Sequence, residues 1–155
     1  MAIKTLLVAL DFSDASALVI GRAAELAQEL SGRIVLLHVV EPKAAFVPAG
    51  KTKRAVAAAW PLRTPSSQAN LKARLNSLAK PLRSSGLKVE SLVVAGLLMD
   101  EILEQSLKYH ADYIILGSHG KSAAQHLVRG GSAFTGMLGR LKCPLLIVPV
   151  KTGGK

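Results

Sequence analysis

Apolar runs of strand length, set far apart along the chain, are the feature that most constrains its fold. Ile3 to Leu10, Arg33 to Val40 with IVLLHVV at its heart, Asp112 to Leu116 and Pro144 to Val150 are almost continuous in apolar residues. Strands that read this way are covered on both faces, which is the situation of parallel strands inside a layered α/β domain. A fifth segment, Leu87 to Ala95, alternates instead, with Leu87, Val89, Ser91 and Val93 on one side and Lys88, Glu90 and Leu92 on the other. Half-polar alternation marks an edge strand.

Helical signals fill the intervals. Ser13 is placed to cap a helix in which Ala17, Ile20, Ala24, Ala27 and Leu30 recur at helical spacing, with Gly32 as its stop. Thr64 and Pro65 form a helix start ahead of Leu71, Leu75, Leu78 and Leu82, and Pro81 is expected to kink or shorten that helix. Gly96 leads into a third helix over Leu98 to His110 with Ile102, Leu103 and Leu107 inward, and Ser132 caps a last one reaching about Leu141. Gly136 and Gly139 weaken this last helix unless they pack tightly on a neighbour. Pro149 cannot donate to a ladder and belongs outside the paired part of its strand. The segment Lys43 to Arg63 has no clear period and is longer than most connections.

The resulting βαβαβαβαβ pattern implies an open five-stranded parallel sheet with helices on both faces, because each crossover is right-handed. Edge-like third and fifth strands give the order 3-2-1-4-5. The order then reverses between strands one and four, and ligands of such sheets bind beside the reversal at the carboxyl ends. Those ends are Asp11 and Gly117, so an early carboxylate and a glycine-rich loop meet in one crevice.

That loop, GSHGKSAAQHLVRGGS from Gly117 to Ser132, contains GKS, the tail of a Walker motif. A Walker loop needs a glycine five residues before Gly120, and Ile115 stands there, inside the strand. A dinucleotide fingerprint fails too, since DFSDAS after the first strand has no glycine. Gly117 and Gly120 remain to let the backbone approach a ligand closely. Gly131, Ser132 and Ala133 supply free N–H groups at a helix start, and Lys121 and Arg129 can neutralise phosphate charge.

These segments together resemble the universal stress protein A family, in its nucleotide-binding branch. The resemblance is carried by LLVALDFSDAS, IVLLHVVEP, ADYIILGSHGKS, the GGS that closes the loop, and CPLLIVPV, and it covers nearly the whole chain. It implies an adenine nucleotide alpha hydrolase-like fold. It also implies that Asp11, with Ala9 and Leu10 beside it, contacts the adenosine part of ATP, AMP or ADP, and that Val39 meets adenine through its backbone. Gly117 and Gly120 line the ribose and phosphates, while Gly131, Ser132 and Ala133 hold the phosphates, with or without a magnesium ion. The branch places nine residues between its second glycine and a Gly-Ser or Gly-Thr pair; here Gly131 and Ser132 form that pair with one residue inserted.

On this reading the nucleotide is a ligand more than a substrate, and the protein is a cytoplasmic stress-response regulator, a homodimer paired through its last strand. Slow ATP hydrolysis or phosphorylation of a loop serine is compatible with the resemblance. No catalytic residue and no metal ligand is assigned: Ser118, Ser122 and Ser132 lack an evident paired base, and His38, His110, His119 and His126 do not have a metal spacing. Of the histidines, His119 is placed in the crevice and His38 in the core.

Charge supplies the alternative. The net charge is +10, and all of the excess falls between Pro42 and Val89, where ten lysines and arginines occur with no acidic residue. Such a face suits an anionic partner, and a dimeric interaction module that binds no nucleotide would use it. With only Phe46 and Trp60 as aromatics there, no base-stacking platform is evident. The length suits one domain, residues 1–150, with a short polar tail at 151–155. Cys143 is the single cysteine, read as a buried thiol in a reducing compartment. No run approaches the roughly 18 apolar residues of a membrane span.

Overall fold

A computed structural model describes residues 3–41, 65–118 and 132–150. Nine elements follow in order: β1 (Thr5–Ala9), α1 (Ser16–Glu29), β2 (Arg33–Val40), α2 (Pro65–Ser84), β3 (Lys88–Ala95), α3 (Leu98–Lys108), β4 (Tyr113–Gly117), α4 (Ser132–Arg140) and β5 (Leu145–Val148). The strands form one parallel sheet in the order β3-β2-β1-β4-β5, as the two edge-like segments required. Pro149 lies just past β5.

The near-continuous apolar runs of β1, β2 and β4 are explained by two cores that the strands share residue by residue, whereas β5, at the edge, is not covered on both faces and leaves Leu146 and Ile147 partly exposed. Leu6 and Val8 of β1 join Ile34 and Leu36 of β2 under α1 and α2, packed on Val19, Ala23, Leu75 and Ala79. Leu7, Val35 and Leu37 point the other way, with Ile114 and Leu116, into α3 and α4 at Met99, Ile102 and Met137. Because successive side chains of a strand face opposite sides, a strand buried twice must be apolar at every position. At the β3 edge Ser91 and Val93 are buried while Lys88 and Glu90 are exposed.

Three helices end in the same way. A residue in the left-handed region, Ser31 (φ 51), Gly86 (φ 95) or His110 (φ 50), follows the C-cap. The next N–H then reaches back to a carbonyl five residues earlier: Gly32 to Ala27 at 2.8 Å, Leu87 to Leu82 at 3.2 Å and Ala111 to Ser106 at 2.9 Å. This is the Schellman arrangement, which satisfies carbonyls the helix leaves open. Gly32 is therefore not the left-handed residue; Ser31 is. Gly32 is small because a Cβ there would lie 2.8 Å from the Lys4 carbonyl oxygen.

Other local expectations are corrected. Ser13 does not cap α1: its N-cap position is Ala15, with no side-chain cap, and Ser13 instead belongs to the preceding turn, its carbonyl accepting the Ser16 N–H at 3.0 Å and its N–H donating to Asp11. The buried face of α1 is Ser16, Val19, Ile20, Ala23 and Ala27, which leaves Ala17 exposed. On α3 the inward set Met99, Ile102, Leu103 and Ser106 keeps helical spacing, so Leu107, one step beyond it, is 49% exposed. Pro81 does not stop α2, which continues to Ser84. At Gly136 and Gly139 an added Cβ would meet nothing within 4 Å, so close packing does not account for them.

At the amino end of the sheet Asp112 ties β1 to the start of β4. Its Oδ2 accepts the Thr5 N–H at 2.8 Å, its own N–H donates to the Thr5 carbonyl at 2.8 Å, and Lys4 Nζ is 3.7 Å from Oδ1. Hydrogen bonds to a charged group contribute about 1.5–3 kcal/mol. Asp112→Ala is expected to lower stability by about that amount, read as a lower urea midpoint at unchanged slope.

Candidate functional site

The strand order reverses where β1 pairs with β2 on one side and β4 on the other. The first crossover helices, α1 and α2, pack on one face and α3 and α4 on the other, so the carboxyl ends of β1 and β4 open onto a crevice. Ala9, the last residue of β1, and Val39 of β2 both pack toward the α3 and α4 face. Leu10 turns to the opposite face and is 6% exposed, its N–H bound to the Leu37 carbonyl at 2.8 Å. Asp11 follows at the mouth. Across the reversal Gly117 ends β4, in register with Val148 of β5. α4 starts at Ser132, on the carboxyl side of the sheet as its crossover from β4 requires.

The structure thus brings Ala9, Leu10, Asp11, Val39 and Gly117 to one end of the sheet, and places Ser132 and Ala133 in the first turn of α4. Gly120, Lys121, Arg129 and Gly131 lie outside the described residues, as do His119, Ser122 and His126. Ser118 is described: its N–H donates to the Val148 carbonyl at 2.9 Å, and its Oγ accepts the Val150 N–H at 2.8 Å.

The Asp11 carboxylate is fixed by its own turn. Oδ1 accepts the Ser13 N–H at 2.9 Å, the local bond by which Asp shapes a turn. Phe12, between them, has φ 61, a conformation that is costly for a residue with a Cβ. Side-chain contacts hold it there. The Phe12 ring lies 4.3 Å from the His38 ring, centroid to centroid, and the Arg74 guanidinium sits 4.2 Å from the Phe12 centroid, within cation–π range.

His38 is half-buried rather than a core residue, and it stands beside the crevice, whereas the sequence placed only His119 there. Its Nδ1 is 2.8 Å from the Leu10 carbonyl oxygen, so Nδ1 carries the proton and donates. Burial lowers its pKa from the ordinary 6.5; the Leu10 hydrogen bond and the Asp11 charge work the other way, and the Arg74 charge adds to the lowering. The folded state therefore binds this proton less readily than the unfolded chain. Stability from this site is present above pH 6.5 and is lost as pH falls from there through the lowered folded value. Thermal melts across pH 7.5 to about 5 are expected to show this loss, and His38→Asn to reduce the slope.

Cys143 is half-buried, and burial, followed by the Asp112 charge, pushes its thiol upward, away from the reactive thiolate. Among the described residues no three His, Cys, Asp or Glu side chains could share a metal. No helix among them is long and apolar enough to cross a membrane.

Comparison with known proteins gives a consistent likeness. The sequence pattern of the universal stress protein family matches residues 2–149. Universal stress protein MJ0577 of Methanocaldococcus jannaschii is 30% identical over 80 residues, 52% of this chain, and the match spans about half (49%) of that relative. The solved structure of MJ0577 superposes with a TM-score of 0.72 at 23% identity, covering 99% of this chain and 100% of the other. A universal stress protein in complex with cAMP gives 0.65 at 22% identity, covering 97% and 100%. One from Archaeoglobus fulgidus in complex with dAMP gives 0.62 at 19%, covering 95% and 98%.

Proposed function

The chain belongs to the universal stress protein family, and on that premise we propose that it binds an adenine nucleotide, ATP in the first place, in the crevice between β1 and β4. The observation that carries this reading is the convergence of Asp11, Val39 and Gly117 at the carboxyl ends beside the strand reversal. It is supported by structural relatives that hold cAMP and dAMP. Val39 and Ala9 offer an apolar wall for the base, and the Asp11 carboxylate can accept hydrogen bonds from sugar hydroxyls. The loop from Gly117 to the start of α4 then wraps the phosphates, with the N–H groups of Ser132 and Ala133 as donors and Lys121 and Arg129 as counter-charges. A magnesium ion bound along with the nucleotide would neutralise phosphate charge beside Ser132.

No paired nucleophile and base is assigned, so the nucleotide acts as a ligand whose occupancy sets the conformation of the loop, and partners read that conformation in a cytoplasmic stress response. The β5 edge carries Leu146 and Ile147, 37% and 38% exposed, and pairing two copies there covers an open edge. The chain is then a homodimer whose unit is residues 1–150. Titration with ATP in the presence of magnesium tests the reading, and lack of binding at millimolar nucleotide overturns it.

A second reading rests on α2, where Lys72, Arg74, Lys80 and Arg83 are exposed along a helix with no acidic residue. In that case the protein is a dimeric interaction module that contacts an anionic partner and needs no nucleotide. Steep salt dependence of polyanion binding by nucleotide-free protein is its signature.

A further inference from the structure

On the opposite face of the sheet from Ala9 and Val39, the turn after β1 and the middle of α2 border a cavity of about 450 Å³. Phe12, Ser13, Asp14, Ser16, Arg74 and Ser77 are among its walls. The crevice residues do not line it.

Four features of this cavity point to the same kind of occupant. Ser16 is only 5% exposed, and its Oγ has no hydrogen-bond partner; the Ser13 Oγ is also buried and unpartnered. Buried hydroxyls without partners are uncommon, and each marks a place where a partner is missing. α1 begins here with Ala15 at its N-cap, no side-chain cap and no acidic residue in its first turn. The N–H groups of Ala17 and Leu18 therefore have neither a helical acceptor nor a capping one. Arg74 is held against the Phe12 ring at 4.2 Å, and neither of the ion pairs found among the described residues uses it. Ser77 donates its hydroxyl proton to the Ala73 carbonyl at 3.0 Å, which keeps that side chain turned along α2.

A helix start, two residues with unpartnered hydroxyls and a guanidinium-bearing residue thus border one cavity. A tetrahedral oxyanion can take hydrogen bonds from all of these directions at once. Asp14, exposed at the rim, opposes a bare anion but accepts hydrogen bonds from hydroxyls attached to one.

We propose that this cavity is a second ligand site, one that seats a phosphoryl group against the N-terminus of α1, Ser13, Ser16 and Arg74. It shares no lining residue with the proposed nucleotide crevice, so either can fail without the other. The test is an amide NMR titration of the full chain with inorganic phosphate and, in a second arm, with glycerol 3-phosphate. The expected result is a saturable shift of the Ser16, Ala17 and Leu18 amides. Tighter response to the ester assigns the site to a phosphorylated metabolite, and equal response assigns it to the free ion.

Arg74→Gln, at an exposed position, is expected to weaken this response by about tenfold or more, with changes to the spectrum of the free protein confined to the Phe12 turn that Arg74 packs against. Ser16→Ala separates a ligand role from a structural one. Removing an unpartnered buried hydroxyl is expected to raise the melting temperature of the free protein and to weaken phosphate binding. Saturable shifts confined to the loop after Gly117, or an affinity unchanged in Arg74→Gln, overturn the proposal.

Discussion

In isothermal titration with magnesium present, Asp11→Ala is expected to bind ATP roughly 10- to 150-fold more weakly than the unmodified chain. The figure follows from loss of a hydrogen bond to a charged acceptor, about 1.5–3 kcal/mol, converted at 1.4 kcal/mol per tenfold. Two further variants separate the causes. Asp11→Asn keeps a side-chain oxygen able to accept the Ser13 N–H, so the turn survives while the charge is removed. Glu29→Ala makes the same change in net charge at the far end of α1, on the amino side of the sheet. If adenosine is held by the Asp11 carboxylate, Ala loses most, Asn loses less and Glu29→Ala loses nothing. Each loss of a carboxylate raises the net positive charge, so a general charge effect would tighten ATP binding in Asp11→Ala and Glu29→Ala alike, and unchanged or tighter binding in Asp11→Ala removes that residue from the site. Gly120→Val tests the loop from the other side: if the backbone at Gly120 approaches the phosphates, a branched side chain there abolishes binding.

The topology was legible because doubly buried strands cannot hide their pattern. Arg33 to Val40 reads as a strand over its full observed length, since Ile34 and Leu36 serve one core while Val35 and Leu37 serve the other. β3 was legible as an edge from Lys88 and Glu90. Finer features were not, for particular reasons. Ser13 has the chemistry of a cap, but it lies in a turn that precedes the helix, tied to Asp11 through its N–H and to Ser16 through its carbonyl, and α1 starts only at Ser16. Gly32 looks like a helix stop, yet Ser31 takes the left-handed conformation and Gly32 yields to the Lys4 carbonyl on another strand. Nothing local reveals an approach of that kind.

The candidate site divides in the same way. Asp11 and Gly117 follow from topology alone, because each directly follows or ends a strand beside the reversal. The contact of Phe12 with His38 and Arg74 joins positions 12, 38 and 74, which no periodicity links. Its one sequence signal is an isolated phenylalanine directly after the carboxylate, in a chain with few aromatics. The same long-range character hides Glu41, whose Oε1 accepts the Leu98 N–H and so caps α3 from the end of β2.

The largest stability effects are expected from Leu36→Ala and Leu37→Ala, two neighbours that are both fully buried on opposite faces of β2. Each deletion leaves a cavity in a packed core and is expected to cost about 2–5 kcal/mol, a large part of the roughly 5–15 kcal/mol that holds a domain together. A sheet covered on one face only would make the pair unequal, with a heavy loss at one position and near neutrality at the other. The two-core arrangement requires both to be severe. It also predicts how they combine: Leu36 packs beneath α1 and α2 and Leu37 against α3 and α4, so their cavities share no wall of side chains. Sites that share no partners add to within about 0.5 kcal/mol, and for these two neighbours the shared backbone is the remaining route of coupling. Urea unfolding of the two single variants should therefore give comparable losses. Because two such losses together, about 4–10 kcal/mol, take up much of that total, the double variant is better made with Leu36→Val and Leu37→Val, whose smaller costs leave a measurable folded state. A clear departure from additivity would mean that the two faces of the sheet are mechanically coupled through β2.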